Sequence, residues 1–398
     1  MLFDPGRLDY LMEQAGVDAL LASGAENVCY LTGIESVALS MFPHSPQCFA
    51  ILRRLDPDDI CFVSSFCEID QILDADPAVS GTVGYGSFRR VRNEETTLTP
   101  AEKRLEAVMF DSPRAESPLE ALVLALQESS LEGGTVAVDM TGLPASFLEA
   151  IAERLSRVRL LPASELFRRL RRIKTAEEVR RLTEATRIAE AGIEAVTATL
   201  SQGVTELEMV REFERTVVSH GARPAFTLIR IGRNGIAGQA LPDSTELQRG
   251  DAVWFDVGCT YRGYWADIAR VVSLGPPSEK LSRIYEAMRA GEERGIKGAT
   301  PGTGVADLFQ TVVDTVRTSG VPDYERHHVG HAIGLEVYDE PMISPGRDDV
   351  LETGMVVNIE APYYEFGFGA VNVEDPVLIE SGGARRLGAL SDALHVVD

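Results

Sequence analysis

The chain has 398 residues, 44% of them apolar and 25% charged, which excludes a disordered, collagenous or membrane-embedded protein. Its 38 Lys and Arg against 61 Asp and Glu leave a formal charge of −23; a field of that sign repels phosphate backbones, so nucleic acid is not an expected partner. Cys29, Cys48, Cys61, Cys67 and Cys259 are odd in number and form no CxxC pair, which argues against a secreted disulfide framework.

The opening MLFDPGRLDYLMEQAG lacks a basic n-region and an apolar h-region, so no signal peptide is expected. No apolar run approaches the ~18 residues of a membrane span. The expectation is a reduced, cytoplasmic protein with no membrane partner. Residues 18–22, 47–52, 60–64 and 135–139 are apolar and β-rich and predict strands. Residues 118–129 and 144–156, each with Pro near its start, predict helices. Strands interleaved with helices predict an α/β domain over residues 1–165.

A linker is expected over 166–174, where Arg168, Arg169, Arg171 and Arg172 predict a solvated helix face. Thr175 with Glu178 fits a capping box, and Leu182, Ala185, Ile188, Ala189, Ile193 and Val196 follow at helical spacing. Helices are predicted over 176–200, 205–221, 277–297 and 304–318, with strands at 224–231, across 251–274 and after about 355. Such blocks predict an α+β domain over 175–398.

Two acidic pairs stand out in that half. Asp256 and Asp267 lie in apolar strands whose midpoint falls between Tyr261 and Arg262; a hairpin turning there sets them directly opposite each other. Glu360 and Glu374 are symmetric about Gly367, which predicts a second opposed pair. Opposed side chains stand ~4.5–5.5 Å apart at Cβ, and like charges so close and buried require cations. His331 lies between the pairs in sequence, flanked by Gly330 and Gly334, which permit close backbone approach. The four carboxylates sum to −4, which two divalent cations cancel. Oxygen ligands with one imidazole suit Mn, Co, Zn or Fe, and Cys259, three positions along the strand from Asp256, faces the other way.

These residues resemble the pita-bread metallopeptidase family of methionine aminopeptidase, prolidase, aminopeptidase P and creatinase, over about residues 172–398. The first half resembles the extra N-terminal domain of the prolidase, aminopeptidase P and creatinase branch, with Tyr30-Leu31-Thr32-Gly33 similar to its YLTG stretch. The resemblance implies a creatinase/prolidase-type α/β domain followed by a pita-bread α+β catalytic domain. It implies that Asp256 chelates one metal, that Asp267 and Glu374 bridge two, and that His331 and Glu360 complete the set. Glu360 is then the proton shuttle, and His327 matches a histidine that contacts substrate. It further implies a homodimer, to which the loop Ser40-Met41-Phe42-Pro43-His44 is a candidate contributor.

The substrate-binding positions depart from the family pattern. A histidine seventeen residues before the first Asp is Gln239 here, or Asp243 in a gapped match; a second, seven after the metal-binding one, is Tyr338; and an Arg two before the final Glu is Asn372. The resulting expectation is a dinuclear metal-dependent hydrolase of a small amide, peptide or other C–N bond, acting on a short peptide or small molecule. A genuine Xaa-Pro dipeptidase or aminopeptidase, and a non-hydrolytic lyase or dehydratase on the same scaffold, are the alternatives.

Overall fold

In the computed structural model, which describes residues 1–75, 79–92 and 95–398, the chain forms two units, Met1–Arg171 and Arg172–Asp398. The first unit runs α1 (Pro5–Ala15), β1 (Ala19–Ala22), α2 (Ala25–Thr32), α3 (Val37–Met41), β2 (Phe49–Arg53), β3 (Asp56–Ser65), β4 (Val79–Tyr85), α4 (Pro100–Asp111), β5 (Arg114–Ala115), α5 (Pro118–Glu128), β6 (Thr135–Val138), α6 (Ala145–Arg154) and β7 (Arg159–Pro162). The strands form one seven-stranded sheet in the order β5-β4-β3-β2-β1-β6-β7, parallel except where β2 joins its neighbours. Leu21, Ile51, Val63 and Val136 on the sheet pack with Leu122 and Leu126 of α5.

The YLTG stretch ends helix α2, with Gly33 as its left-handed cap at φ 74°. Two local expectations are corrected here. Ser40 and Met41 finish the short helix α3 rather than opening a loop. The basic cluster falls on α7 (Ser164–Arg172), and it is not a uniformly solvated face: Arg171 is buried and donates to Asn27 Oδ1 at 3.1 Å. The apolar residues Leu166, Phe167 and Leu170 turn that same side inward, so helical spacing carries Arg171 with them. All five cysteines are free, and among the described residues no helix is long and apolar enough to cross a membrane.

The second unit opens on α8 (Ala176–Thr199), whose capping box forms in full: Thr175 N–H donates to Glu178 at 2.7 Å and Glu178 N–H to Thr175 Oγ1 at 3.3 Å. α9 (Glu206–Ser219), β8 (Arg223–Ile231), β9 (Ala252–Tyr261) and β10 (Tyr264–Leu274) follow, then α10 (Glu279–Gly298) and α11 (Val305–Thr318). The rest is β: β11 (Gly330–Ala332), β12 (Asp339–Met342), β13 (Val356–Glu360), β14 (Tyr363–Glu365), β15 (Gly369–Val371), β16 (Glu374–Glu380), β17 (Gly383–Arg386) and β18 (His395–Val397). A nine-stranded sheet has the path β12-β11-β13-β16-β10-β9-β8, with β17 on β16 and β18 on β10. Its β9 and β10 residues Phe255, Val257 and Ile268 pack with Ile188 and Phe213 of α8 and α9, while Val357 and Ile359 of β13 pack with Met288 and Val312 of α10 and α11.

Candidate metal centre

Five adjacent strands, in the order β11-β13-β16-β10-β9, contribute His331, Glu360, Glu374, Asp267 and Asp256 in turn. Strand alternation separates them from the core: Phe255, Val257, Ile268, Val357 and Ile359 face the helices, and Asp256, Asp267 and Glu360 occupy the intervening positions on the opposite face. The register of β13 on β16 sets Glu360 opposite Glu374. β14 and β15 continue it, with Tyr363 opposite Val371.

The other pair is corrected. Arg262 and Gly263 form a two-residue turn with φ of 48° and 81°, and Tyr261 pairs with Tyr264. Asp256 therefore faces Ala269, and Asp267 faces Gly258. The turn lies one residue later than the sequence symmetry suggests, which makes the two aspartates diagonal neighbours on one face, ~7–8 Å apart by backbone position.

His331 reaches the carboxylates because Gly330 lets its strand approach β13. At φ 146°, a Cβ there would lie 2.0 Å from the Asn358 carbonyl oxygen. His331 Nδ1 is 3.1 Å from the Ala332 carbonyl, which leaves Nε2 at 3.6 Å from Asp267 Oδ2 and 3.7 Å from Glu374 Oε1. These three side chains present ligand atoms within 4.8 Å of one another. Asn358 steadies them, donating to the Asp267 carbonyl at 3.0 Å and to Glu374 Oε1 at 2.7 Å. Asn372 donates to Glu374 Oε2 at 3.3 Å. His328 Nδ1 stands 2.9 Å from Glu360 Oε1, a close polar contact whose angles fall outside hydrogen-bond geometry.

With protein groups alone around them, these acids are strongly perturbed. Burial, then Asp267, Glu374 and Glu360, hold the Asp256 carboxyl well above the usual range. Burial also raises Asp267 against the pull of His331, and burial with Asp267 and Glu360 pushes Glu374 up to about 8. Burial disfavours the charged form of His331, but Asp267 and Glu374 outweigh it and hold the imidazole well above its ordinary value. Burial would raise Glu360 as well, yet the His328 contact brings its carboxyl below the usual value.

The donor set fits divalent cations. Asp267 Oδ1 is buried with no hydrogen-bond partner, the acids crowd on one face, and the remaining donor is an imidazole nitrogen. No thiol joins them: Cys259 Sγ turns to the Ala185 carbonyl at 3.4 Å.

The expected substrate residues do not all share one place. Gln239 and His327 line a cleft of about 640 Å³ with Arg326 and Tyr364. Tyr338, 53% exposed, stacks on His331 with ring centroids 4.0 Å apart. Asn372 is buried against Glu374. Asp243 turns to its own loop, accepting from Thr245 N–H at 2.7 Å. Sequence reasoning passed over Asn358, Arg326 and Tyr364, and reads His328, like His327 taken alone, as an ordinary surface or core histidine. Asn358 was legible as the same-face neighbour two residues before Glu360. Arg326 and Tyr364 carried no local signal, since only the fold brings them to one cleft.

Comparisons with known proteins identify the family. Residues 180–381 match metallopeptidase family M24, and residues 6–173 match the creatinase/prolidase N-terminal domain. The chain is 30% identical over 330 residues to the Xaa-Pro dipeptidase of Pyrococcus furiosus, which spans 80% of this chain and 93% of that protein. It is 26% identical over 383 residues to the uncharacterized peptidase YqhT of Bacillus subtilis, with 96% of each covered. Among solved structures, the Xaa-Pro dipeptidase from Bacillus anthracis superposes with a TM-score of 0.78 at 24% identity, over 99% of both chains. The X-Pro aminopeptidase from Thermotoga maritima gives 0.77 at 22% identity, again over 99% of both. The chain belongs to metallopeptidase family M24: it is a divalent-metal hydrolase with a creatinase/prolidase-type N-terminal domain and a pita-bread catalytic domain.

Proposed function

We propose that the chain is a dinuclear hydrolase of short peptides or related small amides, a cytoplasmic homodimer whose substrate contacts differ from those of Xaa-Pro-cleaving enzymes. The observation that carries the reading is the convergence of Asp256, Asp267, His331, Glu360 and Glu374 from five neighbouring strands onto one face. Asp267, His331 and Glu374, whose ligand atoms lie within 4.8 Å of one another, would hold metal together, with Asp256 and Glu360 completing the set. Mn, Co, Zn or Fe fits the donors. Divalent ions held there supply Lewis acidity, polarising a substrate carbonyl and acidifying water.

The side chains divide the remaining work. Amide hydrolysis needs a proton taken from water and one delivered to the departing nitrogen. Glu360, kept ionised by His328, is placed to accept the first and return it to the leaving group. His327 is lowered by burial and then by His328 and Arg326, so it is neutral near pH 7 and serves as a hydrogen-bond partner for substrate. Burial and the nearby acids raise the Tyr338 phenol, which therefore stays protonated and acts as a donor. Gln239 keeps hydrogen-bonding capacity but cannot deliver a proton as an imidazolium does. Asn372 is neutral and committed to Glu374, while Arg326 offers a fixed positive charge in the cleft.

A second reading, a genuine Xaa-Pro dipeptidase, draws on the Pyrococcus furiosus relative. One panel separates the two. Protein loaded with Mn, Co or Zn is assayed against Ala-Ala, Gly-Leu, Ala-Pro and Gly-Pro, beside the double variant Gln239→His with Tyr338→His. The first reading expects cleavage of the non-proline dipeptides and Xaa-Pro turnover well below a kcat/KM of ~10⁴ M⁻¹s⁻¹. Xaa-Pro turnover at or above that value establishes the second reading. No cleavage of any peptide under the three metals defeats both.

A further inference from the structure

The geometry points to Arg270 and Asp375 as a positioning pair on the reverse of the sheet, setting the separation of Asp267 and Glu374 and hence the affinity of the centre for metal. The inference rests on the metal-centre reading above. β10 carries Asp267 and β16 carries Glu374, yet these strands share one backbone pair, Ala269 with Glu374. Both are far better paired elsewhere: β10 runs in register with β9 from Tyr264 to Ser273, and β16 with β13 from Glu374 to Leu378. The seam that brings the two carboxylates together is therefore the least hydrogen-bonded one in this part of the sheet.

Arg270 closes that seam from behind. Strand alternation puts Asp267 and Glu374 on the site face and Arg270 and Asp375 on the opposite face. Arg270 Nη1 donates to the Ala269 carbonyl at 2.9 Å and to the Glu374 carbonyl at 3.0 Å, spanning the two strands with one nitrogen. Nη2 donates to Asp375 Oδ1 at 2.7 Å and to the Leu390 carbonyl at 3.0 Å, and Nε to the Ser391 carbonyl at 3.0 Å. Asp375 is held from its other side, where Arg386 Nε donates to Oδ2 at 3.1 Å. Arg270 and Asp375 are 3% and 1% exposed, so solvent does not weaken this contact. Only a planar guanidinium can serve two strands, an aspartate and a third segment at once; a lysine ammonium lacks that fork. Partners that orient metal-ligating side chains typically contribute 10–100-fold in metal affinity.

The test measures Mn(II) binding to chelator-treated full-length protein by titration calorimetry and follows spin coupling within the bound ions by electron paramagnetic resonance. The variants are Arg270→Lys, Asp375→Asn and, as a control, Tyr285→Phe. The Tyr285 hydroxyl lies near Arg270 and Asp375 but donates to the Asp392 carbonyl at 2.9 Å, so its loss loosens the same tail while leaving the hydrogen bonds of the seam in place. Arg270→Lys and Asp375→Asn should keep the native circular dichroism, bind Mn 10–100-fold more weakly and lose or alter the coupled signal. Tyr285→Phe should lower the melting temperature and leave Mn affinity unchanged. If Arg270→Lys does not fold, Asp375→Asn, which preserves shape, decides the matter alone. Wild-type Mn affinity and coupling in a folded Asp375→Asn protein would overturn the inference, as would an equal affinity loss in Tyr285→Phe. Should wild type take up one ion rather than two, the dinuclear reading fails separately, and the pair is still judged on that ion, because Asp267, His331 and Glu374 form the closest ligand group.

Discussion

Replacing Asp267 with Asn keeps the shape of the side chain and removes one charge from the centre. In chelated protein the consequence for stability is small. Asp267 Oδ2 stands 3.6 Å from His331 Nε2, an attraction of about 4.6 kcal/mol toward an imidazolium at an effective dielectric of ~20. Against this stand the several kcal/mol of burying a carboxylate and the repulsion of the Glu360 carboxylate. The balance tips against the charge, since the Asp267 carboxyl is raised overall, so a neutral amide changes the chelated protein by no more than about 1–2 kcal/mol. Metal reverses the picture. Mn at a thousandfold excess over its Kd stabilises the wild type by about 4 kcal/mol, which is a rise of roughly 8–16 °C in Tm for a domain of ~150–250 residues. A hundredfold weaker site at the same Mn concentration leaves about 1.4 kcal/mol, or roughly 3–6 °C. Scanning calorimetry of wild type and Asp267→Asn, each with chelator and with Mn, reads both numbers. A variant whose Mn-induced rise equals that of wild type removes Asp267 from the metal site and refutes the reasoning.

Glu374, with a folded-state value of about 8 against an ordinary 4.5, binds a proton in the folded but not the unfolded chelated protein between those values. Its contribution to stability is thus full below about pH 4.5 and lost as pH rises through 8, so the Tm difference between chelated wild type and Glu374→Gln should drift against wild type over pH 5–9; the opposite drift contradicts the assignment. His328→Gln removes the contact that lowers Glu360, so in chelated protein the Glu360 carboxyl should titrate at higher pH than in wild type; an unmoved titration detaches His328 from Glu360. Arg326→Met should weaken free-acid dipeptides by about 10–100-fold in kcat/KM while sparing the corresponding amides, the worth of a charge-assisted contact; equal losses for acids and amides show that Arg326 does not read the carboxylate.

Much of this centre is written along single strands. Period-two alternation marks Asp256, Asp267, Glu360 and Glu374 as polar residues in otherwise apolar strands, and the symmetry about Gly367 predicts the Glu360–Glu374 register. Capping chemistry is equally local, so Thr175 and Glu178 announce the start of α8. The Asp256–Asp267 register needed more than symmetry. Arg262, a non-glycine residue at positive φ, joins Gly263 in the turn and moves its centre by one residue.

The sequence by itself therefore determined the two-part organisation of strands and helices, the candidate ligand types and the face on which each carboxylate stands, because these follow from short-range periodicity and turn chemistry. Tertiary structure alone decided what meets what. It placed His331 Nε2 against Asp267 and Glu374, His328 rather than His327 against Glu360, Arg326 and Tyr364 beside Gln239, and Arg270 across the seam between β10 and β16. Those contacts join residues far apart in the chain, and their pairing depends on the strand order β11-β13-β16-β10-β9, which no local pattern encodes.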